Sequence, residues 1–264
     1  MAQQIIFFEK NKADLSKSNV SITASQGSTY VDYMRNRSNR TAWITTGSVD
    51  ADNTYIEIDF ADAVTLTDII LLKHNFKAYT IQYWTGLAYT DFSTAISETS
   101  NSDVNKHHNF DSVITTKIKL TITGTMVADD DKYLYQFIAT DRIGQLESWA
   151  IVKSKLSRNR QKSTMLSGKM SIREKIGAFS GTASVKIVSS DADLTIIEKL
   201  FESNSGFLYW ACGGDETQYR TERKGYRMED IYLVKCVNEW QADWYKGLYQ
   251  TGMKVDLKLQ EVID

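Results

Sequence analysis

The chain is 264 residues long, 42% hydrophobic and 24% charged, with a formal net charge of −2. Its size suits one large domain or two ordinary ones. The near-neutral balance argues against a protein built mainly to hold nucleic acid, and no run of about 18 apolar residues is present to span a bilayer. Two cysteines and three histidines are too few for a disulfide scaffold or for a Cys/His metal centre at these spacings, so neither metal nor cofactor is expected. There is no proline, where average usage of about 5% would place roughly a dozen. Turns must therefore be built from Gly, Asn, Asp and Ser.

In chain order, "MAQQIIFFEKNK" has too short an apolar core for a signal peptide and reads as a first strand. The polar stretch "QGSTYVDYMRNRSNRTAW", residues 26–43, is the most loop-like part of the first half. Strands follow. In "YIEIDF", Ile56, Ile58 and Phe60 fall on one face and Glu57 and Asp59 on the other, a period of two. "AYTIQYW" sets Tyr79, Ile81 and Tyr83 against Thr80, Gln82 and Trp84. "TTKIKLTITG" sets Ile118, Leu120 and Ile122 against Lys117, Lys119 and Thr121, and "DKYLYQFIAT" supplies a further strand. Short strands with one wet face predict an antiparallel, jelly-roll-like β-sandwich over residues 1–142.

The second domain, residues 143–264, is predicted to be β-rich with one helix at about residues 192–203. In "SSDADLTIIEKLFESN", Ser190 suits an N-cap, and Asp191 and Asp193 complement the macrodipole. Leu194, Ile197, Leu200 and Phe201 make an apolar stripe, with Gly206 just past the end. Strands flank it: "TASVKIV" before, and "FLYWAC", "DIYLVKCVNEW" and "MKVDLKLQEV" after. Cys212 and Cys236 lie in such apolar strands, where a reduced, buried thiol is expected. The region after residue 142 carries 18 Lys/Arg against 16 Asp/Glu and the region before it 13 against 17, a balance that specifies no partner. The local exception is "KSKLSRNRQK", residues 153–162, with Lys153, Lys155, Arg158, Arg160 and Lys162 and no acid.

Catalysis is not expected. Nucleophilic chemistry needs a base beside a Ser, Cys or Thr, and the three histidines are His74, at a strand end, and the adjacent pair His107 and His108. On an extended chain that pair points to opposite faces. No Gly-x-Ser-x-Gly, phosphate loop or Gly-x-Gly-x-x-Gly is present. The acidic runs "DADN" and "ADDDK" are read as turn chemistry rather than ion sites. For binding, Tyr30, Tyr33, Trp43, Trp84 and Tyr89 are the aromatics able to stack on a sugar or partner. Trp43 and Tyr79 also fit as core aromatics with a polar handle, which is the favoured reading for Trp43; Trp84, beside a Gly86 turn, is expected to be exposed.

The ordered pattern "ITAS…NRTAWITTGSVDADNTYIEIDFADAVTLTDIILLKHNFKAYTIQYW…YTDF…TTKIKLTITG" resembles discoidin-type domains, the coagulation-factor type C or galactose-binding-like sandwiches, over roughly residues 18–142. That resemblance implies a non-enzymatic module binding carbohydrate, lipid headgroups or proteins through loops at one end. The chain departs from many such domains in having no cysteine pair bracketing the region. "GYRMEDIYLVKCVNEWQADWYKGLYQTGMKVDLKLQEV" is similar to the closing part of bacteriophage tail and baseplate proteins, the distal-tail-like family, with likeness over about residues 145–264. It implies a tail-tube-like β-sandwich with a flanking helix that forms a ring, a hexamer among the orders it allows, with other tail proteins as partners. The basic residues from Lys153 to Lys162 would then be a subunit-contact arm; a solvated loop is the equal alternative.

The combined expectation is a structural tail or baseplate component, located in the virion and assembled in the host cytoplasm, with the first sandwich decorating a ring. The alternative is a carbohydrate-binding module used in host or surface attachment, with Tyr30, Trp43, Trp84 and Tyr89 as contacts to glycan or partner. Neither reading involves a membrane or specific nucleic-acid binding.

Overall fold

The computed structural model describes residues 3–37, 40–148, 153–156, 159–164, 170–175, 179–187, 191–203, 206–213, 231–239, 242–246 and 251–261. The chain is mainly β and divides into two compact units, Lys10–Arg142 and the combination of Met1–Glu9 with Ile143–Asp264. The N-terminal strand β1, Gln3–Phe8, is formed as the sequence predicts, but not in the first sandwich. It pairs antiparallel with a strand some 200 residues later in the chain, Ile6 standing opposite Trp210. Residues 1–9, expected in the first domain of residues 1–142, group instead with the unit that begins at Ile143. The alternation of "QQIIFF" specifies a strand, but only the tertiary fold specifies its partner.

The unit Lys10–Arg142 contains β2 (Ser21–Ala24), β3 (Trp43–Ile44), β4 (Thr54–His74), β5 (Phe76–Trp84), β6 (Tyr89–Glu98), β7 (Asn105–Thr125) and β8 (Tyr133–Thr140). They run in the order β3-β8-β4-β7-β5-β6, with β2 added on β4. Strands β4 and β7 are each 21 residues long and bend together, which folds one sheet into two facing layers. The bend falls where their register slips between Asp59 and Val64, and Ala61 there takes φ +63°. On one side of it β4 pairs with β2 and β7; on the other it pairs with β7 and β8.

The period-two readings hold residue by residue. Ile56, Ile58, Phe60, Tyr79, Ile81, Ile118, Leu120 and Ile122 are buried in one apolar cluster with Trp43, Leu134 and Phe137. Burying a residue of this size contributes about 1.5–3 kcal/mol, so the cluster between the layers is what holds the sandwich. The polar stretch 26–43 is more ordered than a loop: Ser28–Arg35 forms a 3-10 helix whose Met34 is buried.

The second unit adds β9 (Arg142–Ser148), β10 (Lys153–Leu156), β11 (Asn159–Thr164), β12 (Met170–Lys175), β13 (Phe179–Ile187), α1 (Asp191–Glu202), β14 (Phe207–Gly213), β15 (Tyr232–Cys236), β16 (Ala242–Lys246) and β17 (Thr251–Glu261). Its large sheet runs β10-β13-β9-β1-β14-β15-β17-β16. Because β17 also pairs along β13, from Ser180↔Gln260 to Ile187↔Met253, six of its strands close on themselves. Strands β11 and β12 form a separate antiparallel two-stranded sheet. In α1 the stripe is buried as expected: Ile197 and Leu200 are in the core with Phe7, Phe207 and Val255, and Leu194 and Phe201 pack against it. Ser190 lies outside the described residues. Cys236 is a free thiol that burial pushes up to about 12. Among the described residues no helix is long and apolar enough to cross a membrane.

Candidate functional site

The short edge strand β3 lies on β8, with Trp43 opposite Leu134 and Ile44 opposite Tyr133. Successive strand residues face opposite ways, so Trp43 and Leu134 enter the core while Ile44 and Tyr133 turn outward. Tyr135 shares the outward face of β8, two residues on. On the other side of β8 the β4 register passes from Leu72↔Gln136 to His74↔Leu134, which sets Lys73 alongside Tyr135. Ala42, Ile44, Lys73, Val104, Tyr133 and Tyr135 together line a shallow depression of about 380 Å³ on this face.

Three asparagines and a lysine hold its rim. Asn75 donates through Nδ2 to the carbonyl of Asp131 at 2.8 Å and accepts the Tyr133 N–H through Oδ1 at 3.0 Å, which fixes the start of β8. Asn101 donates to the carbonyls of Phe76 and Asp103 at 2.8 and 2.9 Å, and so positions the turn that carries Val104. Asn105 accepts the Lys73 N–H through Oδ1 at 2.7 Å. The Lys132 N–H donates to Thr45 Oγ1 at 2.8 Å, tying β3 to β8.

The chemistry of the depression is aromatic and weakly cationic. The Tyr133 and Tyr135 rings stand edge to face, 6.1 Å between centroids at 89°. The Lys73 ammonium lies 5.8 Å from the Tyr135 centroid, within reach of a cation–π attraction. Burial first, then neighbouring Tyr135 and the Asp130 carboxylate, raise the Tyr133 pKa, so its hydroxyl stays protonated and able to donate. Apolar walls with a few convergent polar groups are the usual make-up of a small-ligand site.

The aromatics singled out in the sequence lie elsewhere. Trp43 is fully buried, and its Nε1–H donates to the Gln26 carbonyl at 3.2 Å; it is a core residue and offers no surface to a ligand. Tyr30 is 40% exposed and stacks on Tyr33 at 5.7 Å. Trp84 and Tyr89 are brought together across the β5–β6 hairpin, 5.1 Å apart and edge to face, and Trp84 is half-buried rather than exposed. Lys119 lies over both Tyr55 and Tyr89, at 4.6 and 5.5 Å from their centroids. Burial, followed by the nearby Glu57 carboxylate, raises the Tyr89 pKa.

Of the basic stretch, Lys153 and Lys155 lie on β10 beside β13, and Arg160 and Lys162 lie on β11 of the two-stranded sheet; Arg158 is outside the described residues.

The histidines serve the fold. His107 Nε2 is 2.7 Å from Asp68 Oδ1, His108 Nε2 is 2.9 Å from the Tyr79 hydroxyl, and His74 is buried with its Nδ1 accepting the Phe76 N–H. Among the described residues no group of three or more His, Cys, Asp or Glu is placed to hold a metal.

Tyr133, Tyr135 and Lys73 are the residues that sequence reading missed. The signal for the tyrosines was present in "DKYLYQF": alternation about Leu134 puts Tyr133 and Tyr135 on one face. For Lys73 there was none, since it sits in the apolar run "TDIILLKH".

No protein-family model matches the chain, and no curated protein matches it. Among solved structures it is similar to chitosan-binding module 1 of a chitosanase/glucanase from Paenibacillus sp. IK-5. The identity there is 18% and the TM-score 0.41, covering 50% of this chain and 98% of that one. It is also similar to the family 32 carbohydrate-binding module of Clostridium perfringens NanJ in complex with galactose, at 15% identity and TM-score 0.40, covering 52% of this chain and 99% of that one.

Proposed function

We propose that the chain is a non-catalytic recognition protein whose Lys10–Arg142 sandwich binds a saccharide at the depression on the β3-β8-β4 face. The observation that carries this reading is the pairing of Tyr133 and Tyr135, edge to face beside the Lys73 ammonium on a solvent-facing strand. An aromatic face buries the C–H side of a sugar ring at low entropic cost, and a phenol hydroxyl or ammonium donates to the ring's oxygens. A glycan array with the whole chain, followed by calorimetry on the hits, tests it. Tyr135→Ala should weaken the best hit by about tenfold or more, a loss of about 1.4 kcal/mol or more, without moving the thermal midpoint by more than a few degrees. A chain that binds no glycan, or binds one with affinity indifferent to Tyr135→Ala, defeats the reading.

A second reading concerns the other unit. It has the edge strands β10 and β16 and, outside its large sheet, the β11–β12 ribbon with Arg160 and Lys162 on it. A lone two-stranded ribbon is marginal in water and gains from a partner, and open edges invite pairing between chains. These features support assembly into a ring, as in a bacteriophage tail or baseplate, with the sandwich as its attachment module. Solution mass with negative-stain imaging tests it: closed rings support the reading, and a monomer at high concentration, alone and with candidate tail partners, counts against it.

A further inference from the structure

The connection between β4 and β5 is the single residue Asn75, and His74 closes it. The His74 ring is wholly buried, and its Nδ1 accepts the Phe76 N–H at 3.1 Å across that connection. An accepting Nδ1 places the neutral ring's proton on Nε2, which is enclosed and has no hydrogen-bond partner among the described residues. A second proton can enter only at Nδ1, where it would meet the Phe76 N–H donor to donor. The charged ring is therefore incompatible with the turn as it stands.

That turn holds the tyrosine face. Asn75 accepts the Tyr133 N–H at 3.0 Å and donates to the Asp131 carbonyl at 2.8 Å. His74 stands opposite Leu134, between Tyr133 and Tyr135, and its own N–H donates to the Val104 carbonyl at 2.9 Å. The Phe76 carbonyl accepts Asn101 Nδ2 at 2.8 Å, from the side chain that sets the turn carrying Val104. Three of the six lining residues, Val104, Tyr133 and Tyr135, thus hang on residues 74–76. The surroundings offer a charged ring little. From β7 the Lys106 ammonium opposes it and His108 is itself held neutral by burial; from β5 the Phe76 ring stacks at 4.8 Å and the Tyr79 phenol stands edge-on at 5.8 Å. The Asp103 carboxylate favours the charge, but burial and Lys106 outweigh it.

We propose that His74 is a proton-operated catch for the depression: protonating it opens the β4–β5 connection, displaces Tyr133 and Val104, and releases a bound saccharide. This rests on the saccharide reading above and adds the regulation of that site. Burial depresses His74 from 6.5 to about 4, so the catch is closed at neutral pH and open in half the molecules near pH 4. A site competent in half the molecules binds about twofold more weakly, and the loss approaches about tenfold per pH unit below that.

The test follows the amide signals of the isotope-labelled whole chain by NMR from about pH 7 to about pH 3.5, without sugar and with galactose or chitotriose. The Phe76, Val104 and Tyr133 amides should shift together, at one midpoint near pH 4 shared with the His74 ring signals, while the core amides of Leu120 and Ile122 hold their positions. The parent's own titration needs no variant to fold. His74→Asn offers Oδ1 as acceptor to the Phe76 N–H and does not titrate. It should hold the three signals through this range and remove the pH dependence of affinity for whichever sugar binds. Depression amides that ignore the His74 midpoint, that move only together with the core amides, or that shift identically in His74→Asn, each overturn the catch and leave the saccharide reading in place. If neither sugar binds and the glycan array is also blank while the three amides still follow His74, the saccharide reading falls and the catch stands as a conformational switch.

Discussion

Lys132 is wholly buried, and its ammonium donates to the carbonyl oxygen of Val49 at 2.7 Å. Ser48 Oγ is 3.4 Å from the same nitrogen. The ammonium is thus bonded by oxygens in the turn that follows β3, and its charge also acts on the Asp52 carboxylate. Lys132→Met keeps the stem and removes the donor, which leaves the Val49 carbonyl short of its partner. The expected cost is about 1–3 kcal/mol, read as a lower urea midpoint at unchanged slope. A higher midpoint would mean that desolvating the ammonium outweighs its bonds.

Two histidines make the sandwich acid-sensitive. Burial, with help from the Lys106 charge, depresses His74 from 6.5 to about 4 and His108 from 6.5 to about 3. A histidine whose folded pKa is depressed contributes stability that is complete above its unfolded pKa and is lost as pH falls toward the folded one. Stability should therefore begin to drop below about pH 6.5 and keep dropping to about pH 4, by up to about 1.4 kcal/mol per pH unit for each histidine. Denaturant midpoints at half-unit pH steps measure this. His108→Gln, which retains a partner for the Tyr79 hydroxyl, should reduce the slope over this window by about half. An unchanged slope would place the acid sensitivity elsewhere.

Carboxylates steepen the fall further down. Burial would raise Asp68, but its hydrogen bonds from His107, Arg142 and Thr67 outweigh that and hold it below the ordinary carboxylate range. Its stabilisation is present above its unfolded pKa of about 3.9 and is lost as pH falls through the lower, folded value. Asp68→Asn should therefore destabilise the protein at pH 7 and flatten the pH dependence below about pH 4. Equal slopes in variant and parent would show that another carboxylate governs this limb.

What could be read in the sequence was what a strand's own period encodes. Ile56, Ile58 and Phe60, or Ile118, Leu120 and Ile122, announce their buried face within six residues, and the α1 stripe does so within two turns. What could not be read depends on pairing across distance. The pattern of β1 says strand, but its place beside β14 is settled by contacts some 200 residues apart. The closing of β17 on β13 is equally non-local. Lys73 escaped because its positive φ is imposed by Asn105 and Val104 from another strand and turn, with no glycine to advertise it. The tyrosine face escaped for a different reason: exposure of Tyr133 and Tyr135 follows from the β3–β8 register, which a two-residue strand barely signals.

Close packing in the second unit offers a sharper test. A Cβ built on Gly144 of β9 would run into the Ile196 side chain of α1, inside ordinary contact distance. Gly144→Ala should overpack this junction and cost about 1–3 kcal/mol. Ile196→Val removes one of the obstructing atoms, so the double variant should recover part of the loss, a coupling of about 0.5 kcal/mol or more. Strictly additive midpoints would mean that the helix shifts away at little cost.

Trp43 separates stability from recognition. Its indole lies in the core, its Nε1–H reaches the Gln26 carbonyl at 3.2 Å, and Gly27 beside it holds φ +67° with no room for a Cβ against the Ile44 carbonyl. Its strand neighbour Ile44, turned the other way, lines the depression. Trp43→Phe removes the donor and part of the ring, with an expected cost of about 1–3 kcal/mol; Tyr30→Ala, on an exposed face, should stay within about 0.5 kcal/mol. At temperatures where Trp43→Phe remains folded, its affinity for any glycan bound by the parent should be within about twofold, because β3 is still held on β8 by the Thr45–Lys132 bonds. A selective loss of binding at unchanged stability would instead put Trp43 at the ligand, against its burial in the core.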